Sequence, residues 1–140
     1  MRIFLDANIL FAAALPKSQT GVFFAELREH CVVVTSTYAI EEARRNLTEK
    51  RPDALPDFER LLTYIEIITI TITSLDIVLP PKDIPILGGA VAGNATHLLT
   101  GDKKDFGVLW GKTIQGVKIV SPQILFDDLV KKGLLKKIRL

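Results

Sequence analysis

The chain has 140 residues, of which 48% are hydrophobic and 24% charged, and its formal net charge is +2. This length and composition suit one folded domain over residues 1–140 with a sizeable core, exclude a disordered polymer, and leave no overall polycationic attraction to nucleic acid. With no apolar stretch near the roughly 18 residues of a membrane span, no signal-like N-terminus and Cys31 as the only cysteine, the chain reads as cytoplasmic, without a membrane partner, an internal disulfide or a thiolate metal cage.

MRIFLD has the length and apolarity of a buried strand, and NILFAAAL after it has helical composition, stopped by Pro16. TGVFFAELREH reads as a second helix and CVVVT as a strand rich in β-branched residues. Ser36 or Thr37 can cap the next helix, YAIEEARRNLTEK, and RPDALPDFERLLTYIE reads as another with prolines near its start. The alternation in ITITIT predicts a strand with one wetter face, near a sheet edge. PPKDIPILGGAVAGN predicts a helix with Asp83 at or near its N-cap, Pro85 in its first turn and Gly93-Asn94 at its end. HLLTGD then reads as a strand, DFGVLW as a short helix or turn, VKIVS as the last strand, and PQILFDDLVKKG as a helix opened by Pro122. Such β–α alternation predicts an α/β fold with a mainly parallel sheet covered on both faces.

In open α/β sheets ligands bind beyond the carboxyl ends of the strands. Four acids can reach that rim: Asp6 and Asp102 at strand ends, Glu42 and Asp83 in the first turns of helices that follow strands. Each also has a structural alternative. Asp6 can accept from amides of the next helix, Asn8 can orient Asp6 or act as a cap, Asp83 can be a plain cap, and Asp105 is either a further ligand or a cap before Phe106. Of the adjacent pair, Glu42 lies beside the apolar stripe of Ala39, Ile40, Ala43 and Leu47, whereas Glu41 points outward to Arg44 or Arg45.

Taken together, these carboxylates suit a hard divalent cation such as Mg²⁺ or Mn²⁺ and do not suit zinc, since His30 and His97 are the only histidines. Gly101 permits an unusual turn before Asp102, and Gly88-Gly89 suits a helix packed close on a sheet. The basic clusters around Arg44, Arg45, Lys50 and Arg51, at Lys103 and Lys104, and in the tail KKGLLKKIRL read as solvated faces or as phosphate contacts.

On four pieces the sequence resembles the PIN-domain nucleases: RIFLDANIL, the serine-to-glutamate spacing of STYAIEE, the block DIPILGGAVAGNATHLLTGDKKDF, and IVSPQILFDDL. They span nearly the whole chain in that family's order. The resemblance implies a Rossmann-like three-layer α/β/α domain that cleaves single-stranded RNA with Mg²⁺ or Mn²⁺. Carried over by position, it makes Asp6, Glu42, Asp83 and Asp102 the catalytic and metal-binding acids and Asp105 a more variable acid of the metal site. It makes Asn8 the polar residue after the first Asp and Thr100 the small hydroxyl residue before the final one, while Gly88 and Gly89 stand where the family more often has alanines. Small stand-alone members are often toxins of VapC-like toxin–antitoxin pairs and often homodimers, so an RNA substrate, an antitoxin partner and a homodimer are implied. Arg44, Arg45, Lys103 and Lys104 are the expected RNA phosphate contacts. The other readings are an RNA-processing PIN nuclease outside any such pair, a non-catalytic interaction domain of the same fold, and a phosphatase-like phosphotransfer domain. The last would want a second acid where Asn8 stands.

Overall fold

In the computed structural model, which describes residues 1–135, strands and helices alternate along the chain. β1 (Arg2–Leu5) leads through Asp6 into α1 (Ala7–Ala14), and α2 (Gln19–His30) leads into β2 (Val32–Ser36). Ser36, not Thr37, caps α3 (Thr37–Lys50), its hydroxyl accepting the Ala39 amide at 3.1 Å. A 3₁₀ turn over Pro52–Ala54 opens α4 (Leu55–Leu62), followed by β3 (Glu66–Ile68) and α5 (Ile84–Ala92). The remaining elements are β4 (His97–Leu99), α6 (Lys103–Phe106), β5 (Thr113–Ile114), β6 (Val117–Val120) and α7 (Pro122–Lys131).

The strands form one sheet in the order β3-β2-β1-β4-β6-β5, parallel except for β5. Ile3, Phe4 and Leu5 are all fully buried. Consecutive side chains of a strand point to opposite faces, so both faces of the sheet are covered, as a parallel sheet requires. Each such burial stabilises the fold by roughly 1.5–3 kcal/mol. Because β2 lies on one side of β1 and β4 on the other, the chain changes direction at β1. The crevice beyond the carboxyl ends of β1 and β4 is then the place where such sheets admit a ligand.

Three expectations are corrected. ITITIT does not form a strand beyond its first residue: β3 pairs with β2 only as far as Ser36 opposite Ile68, and there β2 turns into α3, leaving no partner. The segment instead leaves the sheet and runs past α5, where the Ile72 amide donates to the Gly88 carbonyl at 3.1 Å. The helix read over RPDALPDFERLLTYIE ends at Leu62, and Glu66 belongs to β3. An edge strand absent from the pattern reading, β5, is joined to β6 by Gln115 and Gly116, both at positive φ (48° and 84°). That is the conformation of a tight two-residue hairpin, usually signalled by Asn-Gly or Asp-Gly; Gln115 gives no such signal. Residues 136–140, the end of the basic tail, lie outside the described residues.

The two glycines of α5 each allow a close approach. A Cβ on Gly89 would meet the Phe4 ring and the Ser36 Cβ at 3.3 Å, so this residue lets the helix press onto the sheet; one on Gly88 would lie 1.9 Å from the Ile72 carbonyl oxygen. Gly88→Ala should therefore lower stability by about 1–3 kcal/mol. Gly101→Ala, whose Cβ meets nothing closer than 3.6 Å, should stay within about 0.5 kcal/mol of the parent. Urea denaturation of both variants checks this, and an unchanged midpoint for Gly88→Ala would show that the passing loop gives way freely.

Candidate metal centre

Asp6 is the first residue past β1 and is buried. As the N-cap of α1 it accepts the Ala7 amide on Oδ1 at 2.6 Å, while Oδ2 accepts the Thr100 hydroxyl at 2.7 Å and faces the Asn8 amide nitrogen at 3.4 Å. Thr100, fully buried just past β4, also uses its hydroxyl oxygen to accept the Asp102 amide at 3.1 Å. Asn8 Oδ1 accepts the Gly101 amide at 3.0 Å. Asn8 is therefore a bridge between the two strand ends and leaves the cap of α1 to Asp6. Gly101 is not among the residues at positive φ, so the unusual turn expected there is absent.

Asp102 caps α6, accepting the Asp105 amide at 3.1 Å. Asp83 stands at the N-cap position of α5 but makes no capping hydrogen bond; its carboxylate is 5% exposed, and Oδ2 is buried without a hydrogen-bond partner among the described residues. The plain-cap alternative thus fails for Asp83. Carboxylate oxygens of Asp83, Asp102 and Asp105 lie within 4.8 Å of one another. Asp6, Glu42, Asp83 and Asp102 line one open pocket of about 280 Å³. Glu42 is half-buried on α3, whereas Glu41 is exposed and paired with Arg44 at 3.0 Å, as the helical spacing predicts.

The pocket also takes in Phe11, Asn46, Lys50 and Lys82, of which only Lys50 stood among the basic residues expected as solvated faces or phosphate contacts, and none as a lining of the acids' pocket. Helical spacing could have found three of them, since Asn46 and Lys50 fall four and eight residues after Glu42 and Phe11 falls three after Asn8. Lys82 reaches Asp105 Oδ2 at 2.9 Å. Of the expected phosphate contacts, Arg44 lies outside this pocket, its guanidinium held by Glu41 and by Glu59 at 2.9 Å; Arg45, Lys103 and Lys104 are exposed and do not line it. His97 sits at the amino end of β4, away from the acids, with Nδ1 2.8 Å from the Thr96 hydroxyl.

Burial pushes the Asp6 carboxyl up to about 6 against the hydrogen bonds from Thr100 and Ala7, with the charges of Glu42 and Asp102 adding to the rise. Asp83 is pushed up to about 7, first by burial and then by the neighbouring carboxylate of Asp105. The ammonium of Lys82 holds Asp105 below the usual carboxylate range. A partnerless buried carboxylate oxygen among mutually repelling acids is what an oxygen-seeking divalent cation satisfies. The donor set therefore fits Mg²⁺ or Mn²⁺.

The sequence profile of the PIN domain matches residues 2–104, a span that contains Asp6, Glu42, Asp83 and Asp102 and stops just short of Asp105. Among solved structures, the chain is similar to VapBC2 from Rickettsia felis bound to a DNA fragment from their promoter, with 18% identity, a TM-score of 0.63, and coverage of 86% of this chain and 98% of that one. No functionally curated protein matches the chain significantly.

A carboxyl that ionises less readily in the fold than in the unfolded chain makes stability fall as pH rises from its unfolded to its folded pKa. The window runs from 3.8 to about 6 for Asp6 and from 3.8 to about 7 for Asp83, with the cost absent below it and complete above. For Asp6 the shift is worth about 3 kcal/mol. Without divalent cation, the melting temperature should fall between about pH 4 and about pH 7. Asp83→Asn should flatten that fall, and Mg²⁺ or Mn²⁺ should offset it. Melting curves across this range check the assignment; an Asp83→Asn profile as steep as the parent's would remove Asp83 from the repelling cluster.

Proposed function

Given that the chain belongs to the PIN-domain family, we propose that it is a metal-dependent endoribonuclease that cleaves single-stranded RNA and serves as the toxin of a type II toxin–antitoxin pair. The single observation that carries the nuclease reading is the buried, partnerless Oδ2 of Asp83, whose carboxylate lies within 4.8 Å of those of Asp102 and Asp105 beside a pocket lined by Asp6, Glu42, Asp83 and Asp102. Asp6, Glu42, Asp83 and Asp102 would hold one or two Mg²⁺ or Mn²⁺ ions, with Asp105 as the adjoining acid. When bound, such a cation lowers the pKa of a water and neutralises charge on a phosphodiester's leaving oxygen.

This chain's own residues supply the preorganisation. Thr100 fixes Asp6 through its hydroxyl proton and Asp102 through its hydroxyl oxygen, and Asn8 ties Asp6 to the Gly101 amide. The acids therefore keep their spacing through contacts made within the fold. Asp6 is 5% exposed and already accepts three donors, which counts against the phosphotransfer alternative, where this residue would have to attack a phosphate.

The likeness to VapBC2 supports an antitoxin as the partner, and a two-fold homodimer of single-domain subunits belongs to the same proposal. No helix among the described residues is long and apolar enough to cross a membrane, which suits the proposed cytoplasmic place of action.

Cleavage of a labelled single-stranded RNA in Mg²⁺ or Mn²⁺ tests the reading. Asp102→Asn should abolish activity while keeping the fold, because its side-chain oxygen can still accept the Asp105 amide. Thr100→Val, which removes the hydroxyl that orients two acids, should lower activity roughly 10–100-fold. Full metal-dependent activity in Asp102→Asn would sink the assignment.

A further inference from the structure

A pocket of carboxylates repels a polyanion, so the proposed nuclease needs cations placed where the substrate's phosphates pass. Arg44, the guanidinium nearest in sequence to Glu42, is committed to Glu41 and Glu59 outside the pocket. Lys103 and Lys104 do not line it either. Two ammonium groups do, Lys50 and Lys82, and they stand on different elements.

Glu42, Asn46 and Lys50 are spaced four residues apart on α3 and all line the pocket, so one stripe of the helix presents a carboxylate, then an amide, then an ammonium. At the helical rise, Lys50 lies about 12 Å along the axis from Glu42. It therefore meets a phosphate beyond the one at the acids. On the other wall, Lys82 directly precedes Asp83 and its Nζ is 2.9 Å from Asp105 Oδ2, yet the side chain is 62% exposed. An ammonium has three N–H donors, and one of them suffices for Asp105.

We propose that Lys82 and the Asn46–Lys50 extension of α3 form the phosphate-holding track of a single-stranded polynucleotide, which places the scissile phosphate at the acids between the two lysines. This rests on the nuclease reading above and specifies which surface carries the substrate. It also moves the phosphate contacts away from Arg44, Lys103 and Lys104. Asn46 adds an amide that can donate to a phosphate oxygen between the two charged positions.

The test uses a short fluorescein-labelled single-stranded oligoribonucleotide of mixed sequence, bound in Mg²⁺ by full-length protein carrying Asp102→Asn, which holds the probe uncut. Binding is measured by anisotropy over a range of salt concentration. Adding Lys50→Gln or Lys82→Gln should each reduce the slope of log affinity against log salt by about 0.7. Lys82→Arg should restore the slope, whereas Arg44→Gln and Lys104→Gln should leave it unchanged. In the cleavage-competent protein, Lys50→Gln and Lys82→Gln should raise KM more than they lower kcat, with the metal-induced rise in melting temperature retained. Parental slopes for both lysine variants, together with a reduced slope for Arg44→Gln or Lys104→Gln, would overturn the track while leaving the nuclease reading intact. A parent that is stabilised by Mg²⁺ or Mn²⁺ but neither binds nor cleaves RNA would sink both.

Discussion

A carboxylate buried at the end of the central strand is the constraint on which the rest of the site depends. Asp6 is forced into that position because β1 lies between β2 and β4 and is covered on both faces, so the residue that follows it stays within the protein. An unpaired carboxylate there would cost several kcal/mol, and the fold answers with donors from two separate segments. Ala7 and Asn8 come from the start of α1, and Thr100 comes from the far side of the chain at the end of β4. The Thr100 bond spans 94 positions and holds together the two strand ends between which the pocket opens. Thr100 and Asn8 then each make a second bond, to the Asp102 and Gly101 amides, so the segment carrying Asp102 is placed by the same groups that satisfy Asp6.

Satisfying Asp6 does not satisfy its neighbours. Asp83 keeps an oxygen without a partner, and Asp83, Asp102 and Asp105 crowd within 4.8 Å. This local loss of stability is tolerated because it is confined to one rim, while the sheet beneath is dry: Ile3, Phe4, Leu5, Leu98 and Ile119 are all fully buried. Local rules broken at one place and obeyed elsewhere are the mark of a functional site. Lys82 relieves part of the repulsion from the solvent side, and because it is largely exposed it does so without closing the pocket. Arg44, by contrast, has its charge taken up by Glu41 of α3 and Glu59 of α4, outside the pocket.

The helix that brings Asp83 to the rim depends on the least conspicuous residues of the chain. α5 carries the chain from edge strand β3 back to the centre of the sheet, and Gly89 lets it lie against Phe4 and Ser36. Gly88, one residue earlier, faces the loop that ITITIT becomes, leaving room for the Ile72 carbonyl. Gln115 fastens the same loop at its far end, its side chain accepting the Asp76 amide at 2.8 Å. A segment with strand-like alternation is thus held as a strap over α5, because the sheet offers it no partner and the glycines offer it a seat.

Sequence alone determined the order of strands and helices apart from β5, the mainly parallel sheet, the four acids that line the pocket, and the outward turn of Glu41 against Glu42, although Glu42 stands in the second turn of α3 and not in the first as expected. All of these follow from periodicity, caps and spacing, which a chain carries locally. Only the tertiary structure decided that ITITIT leaves the sheet, that Gln115-Gly116 closes a hairpin, that Asp83 has an unused oxygen where a plain cap was the other reading, and that Asn8 bridges to Gly101. It also decided which cations face the acids: Lys50 and Lys82, and not Arg44. The reason is the same in each case. Whether a donor, an acceptor or a strand edge is free or already taken depends on a partner far away in sequence, and no local pattern records that partner.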